Sequence, residues 1–308
     1  MKKLPRIRMP HVKFNYKKLA IFASIASVIL LSVSSYLGYT RLYMKPERRF
    51  WSAISNSLAT TSVVKETRTG GSGNLTVEKT RYTYGVQAAA RKISDASIKS
   101  ATVESNVTTE VINTPTDEFV RYLNIATNEK KQDGTTYDFS DVQKVWARQP
   151  SDTQETTEKS KQSFIQSQVT LVPFGDVSPA ARKDILSQLR KGGAYKVNYD
   201  AVTTKVIDGQ EYYNYIVAVQ TKKYVSALQK HFIAIGYGEF APLNSDNYSE
   251  GAKVNAQFLI KKSDNSLAGI TFNNLTESYS NYGITKKTDI PTDYITLDDL
   301  QKRLEKAQ

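Results

Sequence analysis

The chain has 308 residues, sets 42 Lys and Arg against 30 Asp and Glu for a formal charge of +12, and contains no cysteine. Without cysteine there is no disulfide, no thiolate metal ligand, no cysteine nucleophile and no lipid-bearing N-terminal cysteine, so an exported domain must be held by its core alone. Seven of the positive charges fall in residues 1–18, leaving +5 on the remainder; the pairs Lys222-Lys223, Lys261-Lys262 and Lys286-Lys287 are isolated, and no nucleic-acid partner is expected.

The run from Leu19 to Tyr39 carries no charge. About 20 apolar residues at 1.5 Å each cross a hydrocarbon layer of about 30 Å, and a helix satisfies every backbone group there. Residues 1–18 hold Lys2, Lys3, Arg6, Arg8, Lys13, Lys17 and Lys18 with no acid. This predicts a basic cytosolic tail, a membrane helix over 19–39 and an extracytoplasmic domain over 40–308, anchored in the cell membrane by a single pass. A cleaved signal peptide is the competing reading. The long apolar core, the long basic region and the lack of Ala-x-Ala after the run argue for a retained anchor. Tyr36, Tyr39 and Tyr43 suit the outer interface.

Beyond the anchor, Phe50, Ile54 and Leu58 are spaced by four and predict an amphipathic helix over Pro46–Val64. Gly70, Gly71 and Gly73 break it, and a period of two follows from Leu75. Ile98–Val111 and Glu118–Ile125 read as strands joined at Thr114-Pro115-Thr116-Asp117. Residues 127–163 are polar and predict flexible loops, with Trp146 anchored on the core. Ser178-Pro179 caps a helix that buries Ile185 and Leu189 and stops at Gly192-Gly193. Asp208-Gly209 centres a hairpin over Tyr195–Gln220 that is apolar on both faces, hence covered on both sides or lining a cavity. Tyr224, Leu228 and Phe232 mark a helix over Tyr224–Ile235. Strands over Ala252–Lys261 and Leu267–Tyr279 flank the turn Ser263–Ser266. Thr296 with Asp299 caps a last helix. Adjacent strands with few helices predict an α+β fold.

The helix from Phe50 leading into long strands, the Tyr195–Gln220 hairpin followed by a helix, and the closing Val254-Asn255-Ala256-Gln257-Phe258-Leu259-Ile260 strand with Tyr279-Ser280-Asn281-Tyr282-Gly283 and Ile290-Pro291 together resemble the lipoprotein-carrier fold. That fold is shared by the periplasmic lipoprotein carrier and mycobacterial lipid-carrier lipoproteins. The resemblance implies a curved antiparallel sheet, an incomplete barrel, wrapped around helices, and an apolar cavity on its concave face for a lipid ligand. Tyr213, Tyr215, Val217, Phe258 and Ile260 are the candidate lining residues. The chain lacks the families' lipid-bearing cysteine and carries a membrane helix instead.

Catalytic constellations are sparse. His11 and His231 are the two histidines; His231 is expected at a helix surface. No H-E-x-x-H or G-x-S-x-G stands in the sequence, and Gly70-Gly71-Ser72-Gly73 lacks the Lys-Ser/Thr ending of a phosphate loop. Asp298-Asp299 fits helix-start charge. No enzyme activity, metal or cofactor is expected. The reading is a membrane-anchored protein that binds a lipid or other apolar ligand. The alternative is a non-catalytic structural or interaction module with a protein partner in the cell envelope.

Overall fold

The computed structural model describes residues 45–71, 73–149, 154–238, 243–284 and 287–307, together with Ser32. The expected span over 19–39 therefore lies, but for Ser32, outside the described residues. Among the described residues no helix is long and apolar enough to cross a membrane. The chain divides into Met1–Arg49 and Phe50–Gln308, and the α+β architecture belongs to the second unit.

Helix α1 (Pro46–Leu58) is followed by five long strands, β1 (Ser62–Gly70), β2 (Asn74–Thr83), β3 (Ala89–Lys99), β4 (Glu104–Asn113) and β5 (Glu118–Thr127). Short β6 (Ala147–Gln149) precedes helices α2 (Gln154–Ser167) and α3 (Pro179–Lys191). Next come β7 (Tyr195–Val197), β8 (Thr203–Ile207), β9 (Gln210–Gln220) and helix α4 (Thr221–Ala234). The chain ends with β10 (Lys253–Lys261), β11 (Leu267–Phe272), β12 (Leu275–Ser280), β13 (Ile295–Thr296) and helix α5 (Leu297–Ala307). The thirteen strands of the described residues join one open, curved sheet in the order β13-β6-β5-β4-β3-β2-β1-β12-β11-β10-β9-β7, with β8 also on β9. Among the described residues the strands pair antiparallel except β13 with β6.

Several sequence expectations are corrected. The first helix stops at Leu58, and Val63-Val64 open β1, because β-branched residues pack better on a pleated surface than on a helix. The expected strand over Ile98–Val111 is two, turning at residues 100–103. The strand over Leu267–Tyr279 is also two, reversed at Asn273 and Asn274, whose φ angles of 45° and 64° are left-handed. Residues 127–163 hold β6 and most of α2. The anchors near Trp146 are Val142 and Ala147, both fully buried; Trp146 is half-buried under the Arg121 guanidinium, 4.3 Å from its ring centroid. His231 is 1 % exposed and belongs to the core.

The capped helix forms as expected, with the Ser178 side chain accepting from the Ala181 amide and Ile185 and Leu189 buried. The hairpin turns at Asp208 (φ 50°) and Gly209 (φ 75°), with Ile207 opposite Gln210, as a two-residue turn requires. Its two apolar faces part company. Tyr215, Val217 and Val219 are buried, but Ile216 is 53 % exposed on the other face and every residue of β8 is exposed. The expectation of cover on both sides is corrected: helices pack one face of this sheet half only.

Two cores sit on that inner face. The larger joins Phe50, Ile54 and Leu58 of α1 to Tyr215, Val217, Phe258 and Ile260, and takes in Tyr224, Leu228 and Phe232 of α4. The smaller joins Val142, Ala147 and Leu300, with Val120, Tyr122 and Ile125 of β5 packed against it. Between α2 and α3 an irregular strap over 167–177 crosses the large core. Buried carbonyls outside regular structure need donors, and side chains supply them. Tyr82 Oη donates to Ser167 O (2.6 Å), Tyr224 Oη to Thr170 O (2.7 Å) and Tyr195 Oη to Leu171 O (2.9 Å). The strap's own amides, Gly175 N and Val177 N, donate to Ser57 O and Leu58 O and so cap the end of α1.

Candidate functional site

The five candidate lining residues all lie on the inner face, on β9 and β10. Tyr215, Val217, Phe258 and Ile260 have no exposed surface. The Phe50 ring lies 5.5 Å from Tyr215 and 5.9 Å from Phe258, centroid to centroid, and Phe258 also meets Tyr195 edge-on at 6.0 Å. Tyr213 is half-buried at the margin, with the Lys262 ammonium 4.9 Å above its ring. Among the described residues, surface clefts lie between α3 and α4, at the strand-end rim, and beside α5, and none of the five residues lines these.

A different part of the same inner face is uncovered. In β2, β3 and β4 the ends near Tyr82, Ala90 and Ile112 are buried, yet no residue of 74–79, 91–99 or 104–109 is. Pairing places Lys92, Ser94, Ala96 and Ile98 of β3 on the inner face beside Val111, Thr109, Val107 and Ser105 of β4. α2 touches β3 and β4, and its anchoring contacts, Ser163 Oγ to Glu118 and Tyr82 Oη to Ser167, fall at the buried end. The smaller core closes the β5 side through Ile125, which pairs with Val107. The result is a trough floored by Ala96, Ile98, Val107 and Val111, with Ser and Thr between them and one flank raised.

The trough's polar margin is built on β1, β2 and β12. Glu277 is 5 % exposed. It receives the Tyr279 hydroxyl at 2.5 Å and faces the Lys65 ammonium at 3.7 Å. Burial alone would lower the Lys65 pKa, but the Tyr82 and Glu277 oxygens around it outweigh burial and hold it above the ordinary lysine value. Lys92 and Glu78 pair at 3.3 Å on the floor. The charges here are paired, Lys65 with Glu277 and Lys92 with Glu78, and the floor beyond them presents alkyl and hydroxyl groups. Among the described residues no group of three or more His, Cys, Asp or Glu is placed to hold a metal.

The five candidate residues and the trough residues share one face of the sheet, the former packed under helices and the latter uncovered. Ala96, Ile98, Val107 and Val111 carry an alternating pattern that any half-exposed strand shows, so nothing local marked them. No protein-family model matches the chain, and no curated protein matches it. Among solved structures, the chain is similar to the crystal structure of LprF from Mycobacterium bovis, at 10 % identity and a TM-score of 0.34, over 79 % of this chain and 96 % of that one.

Proposed function

We propose that this protein is a membrane-anchored extracytoplasmic binding domain whose ligand is an acyl chain or similar apolar group lying along the trough. The observation that carries this reading is the uncovered apolar floor on an inner sheet face whose other half is covered by helices. A sheet face normally gains stability by burying its apolar residues against another layer, and each buried CH2 contributes about 0.8 kcal/mol. A bound alkyl chain supplies that layer over Ala96, Ile98, Val107 and Val111. Anchoring follows from residues 1–39: the uncharged run fits a bilayer and the basic tail favours the cytoplasmic side.

The test is photolabelling of the full chain with a diazirine fatty acid, followed by peptide mass mapping. Adducts are expected on the 91–112 segment, and Val107→Glu should remove them. Adducts confined to residues 19–39, where any membrane helix meets lipid, would sink the ligand assignment.

The outer face of the same strand ends is uncovered as well, with Leu75 46 % exposed and Asp95 exposed. A small ligand needs one face, and a protein partner uses both. The second reading is therefore a non-catalytic interaction module. Because the chain has no cysteine, a single Asp95→Cys crosslinker would report on it, and recovery of one defined neighbour in cells would favour it.

A further inference from the structure

Two rows of inward side chains cross β12, β1, β2 and β3 at the margin of the trough. One row runs Tyr279, Lys65, Thr80, Lys92, and the next runs Glu277, Thr67, Glu78, Ser94, each residue opposite its neighbour in the strand pairing. Both lysines stand in the first row and both carboxylates in the second. Successive inward residues of a strand are about 6.8 Å apart along the backbone, so a line of positive charge runs beside a line of negative charge at that spacing. The two ion pairs between the rows differ in character. Lys65 and Glu277 have side chains 14 % and 6 % exposed, and Tyr279 donates to Glu277, so this pair is fixed. Lys92 and Glu78 pair at 3.3 Å with each side chain 38 % exposed. An ion pair this open to water contributes little to stability and exchanges partners readily.

What enters decides the electrostatic outcome. An anion alone satisfies Lys92 and strands Glu78 beside it, and a cation alone does the reverse. A group that carries both charges takes both partners at once and leaves the margin neutral. We infer that the acyl chain of the trough belongs to a zwitterionic phospholipid, whose phosphate sits by Lys92 and whose ammonium, two carbons away, sits by Glu78. This rests on the acyl-chain reading and adds the head group to it. From Lys92 the chain runs along β3 and β4 over Ala96, Ile98 and Val107, which share the inner face with the two rows.

Photolabelling in vesicles separates head from chain. The full chain is reconstituted in equal parts phosphatidylethanolamine and phosphatidylglycerol, with a trace of one or the other carrying a diazirine on its acyl chain. Labelling of 91–112 by the phosphatidylethanolamine probe should exceed that by the phosphatidylglycerol probe about fivefold, the effect of one partly exposed charge pair. Glu78→Gln leaves Lys92 without its acid and should reverse the preference, whereas Lys92→Gln should weaken both probes. A variant that merely unfolded would lose both labels and could not exchange them. Excess free phosphoethanolamine should leave the labelling unchanged; displacement would give the site to a soluble head group and overturn the lipid assignment. Equal labelling by the two probes, or a preference that Glu78→Gln does not alter, would overturn the head-group assignment and leave the acyl-chain reading standing. Absence of both labels from 91–112 would overturn the two together.

Discussion

The imidazole of His231 on α4 hydrogen-bonds to the backbone of Phe174 in the strap, while its Nδ1 is buried with no partner. Burial holds its pKa down, from 6.5 to about 4, against the small upward pull of that bond. The neutral ring is thus a structural bolt between α4 and the strap that caps α1.

The pH dependence of stability follows from that depression. Unfolded, the histidine takes its proton near pH 6.5; folded, it resists until about pH 4. Its contribution is fully present above pH 6.5 and is lost as pH falls from 6.5 towards 4, because the unfolded chain binds the extra proton there. The loss is on the order of 3 kcal/mol at 1.36 kcal/mol per pH unit. Denaturant unfolding of the protein and of His231→Phe across this range checks it: the difference in slope should vanish above pH 6.5. Parallel slopes throughout would mean that the ring is protonated in the fold.

Glu110 offers a second test. It is 1 % exposed on the outer face, where Arg91 reaches one carboxylate oxygen at 2.5 Å and Arg121 the other at 2.7 Å. Arg121 in turn lies over Trp146. Removing the carboxylate leaves two guanidinium groups facing each other across β4. Both arginines retain some water contact, with side chains 38 % and 25 % exposed, so the cost is below the 3–5 kcal/mol of a fully buried broken pair. Glu110→Gln should lower stability by about 2 kcal/mol and loosen Trp146, read as a shift in its fluorescence with the salt concentration.

How much of this was legible depends on how local the cause is. Ser178-Pro179 and Asp208-Gly209 act within four residues, so the capped helix and the hairpin turn could be read directly. β1 was hidden because Val63 and Val64 follow the apolar stripe closely, with no glycine or proline between to mark the end of the helix. Most of α2 was hidden because its early residues are polar and its buried Phe164 and Ile165 come only near its end. What covers the candidate lining residues is a long-range matter. Tyr215 and Phe258 are on the inner face as their alternation requires, but whether that face is open depends on where α1 lands, and Phe50 lands on them. His231 was misplaced because a single polar residue in an amphipathic helix says nothing about the strap that covers it.

Phe50→Ala measures the α1 contact. The ring is fully buried among Trp51, Tyr195, Tyr215 and Phe258, with centroids 5.4–5.9 Å away. Truncation removes the transfer energy and leaves a cavity that rigid aromatic neighbours cannot close. A loss of about 3–5 kcal/mol is expected by denaturant unfolding. A loss under 1 kcal/mol would mean that α1 is not the cover of the β9–β10 half, and that half would again qualify as ligand space.

Gly70→Ala separates the two halves of the sheet. Gly70 ends β1 at the tip of the uncovered half with φ of 120°, and a Cβ there would lie 2.0 Å from the Asn74 carbonyl oxygen. That oxygen accepts the Gly71 amide at 3.0 Å and so closes the hairpin, so the clash is with backbone and has no flexible side chain to absorb it. The strain, about 1–3 kcal/mol for a residue forced into this region, falls where the sheet has no second layer to resist it. Amide hydrogen exchange should therefore quicken in 66–79 and 91–99, while the β9–β10 amides keep their protection. Acyl-chain photolabelling of 91–112 should drop in the same variant with the fold retained. Uniform loss of protection across the sheet would show that the two halves unfold as one, and the trough would then have no stability separate from the core.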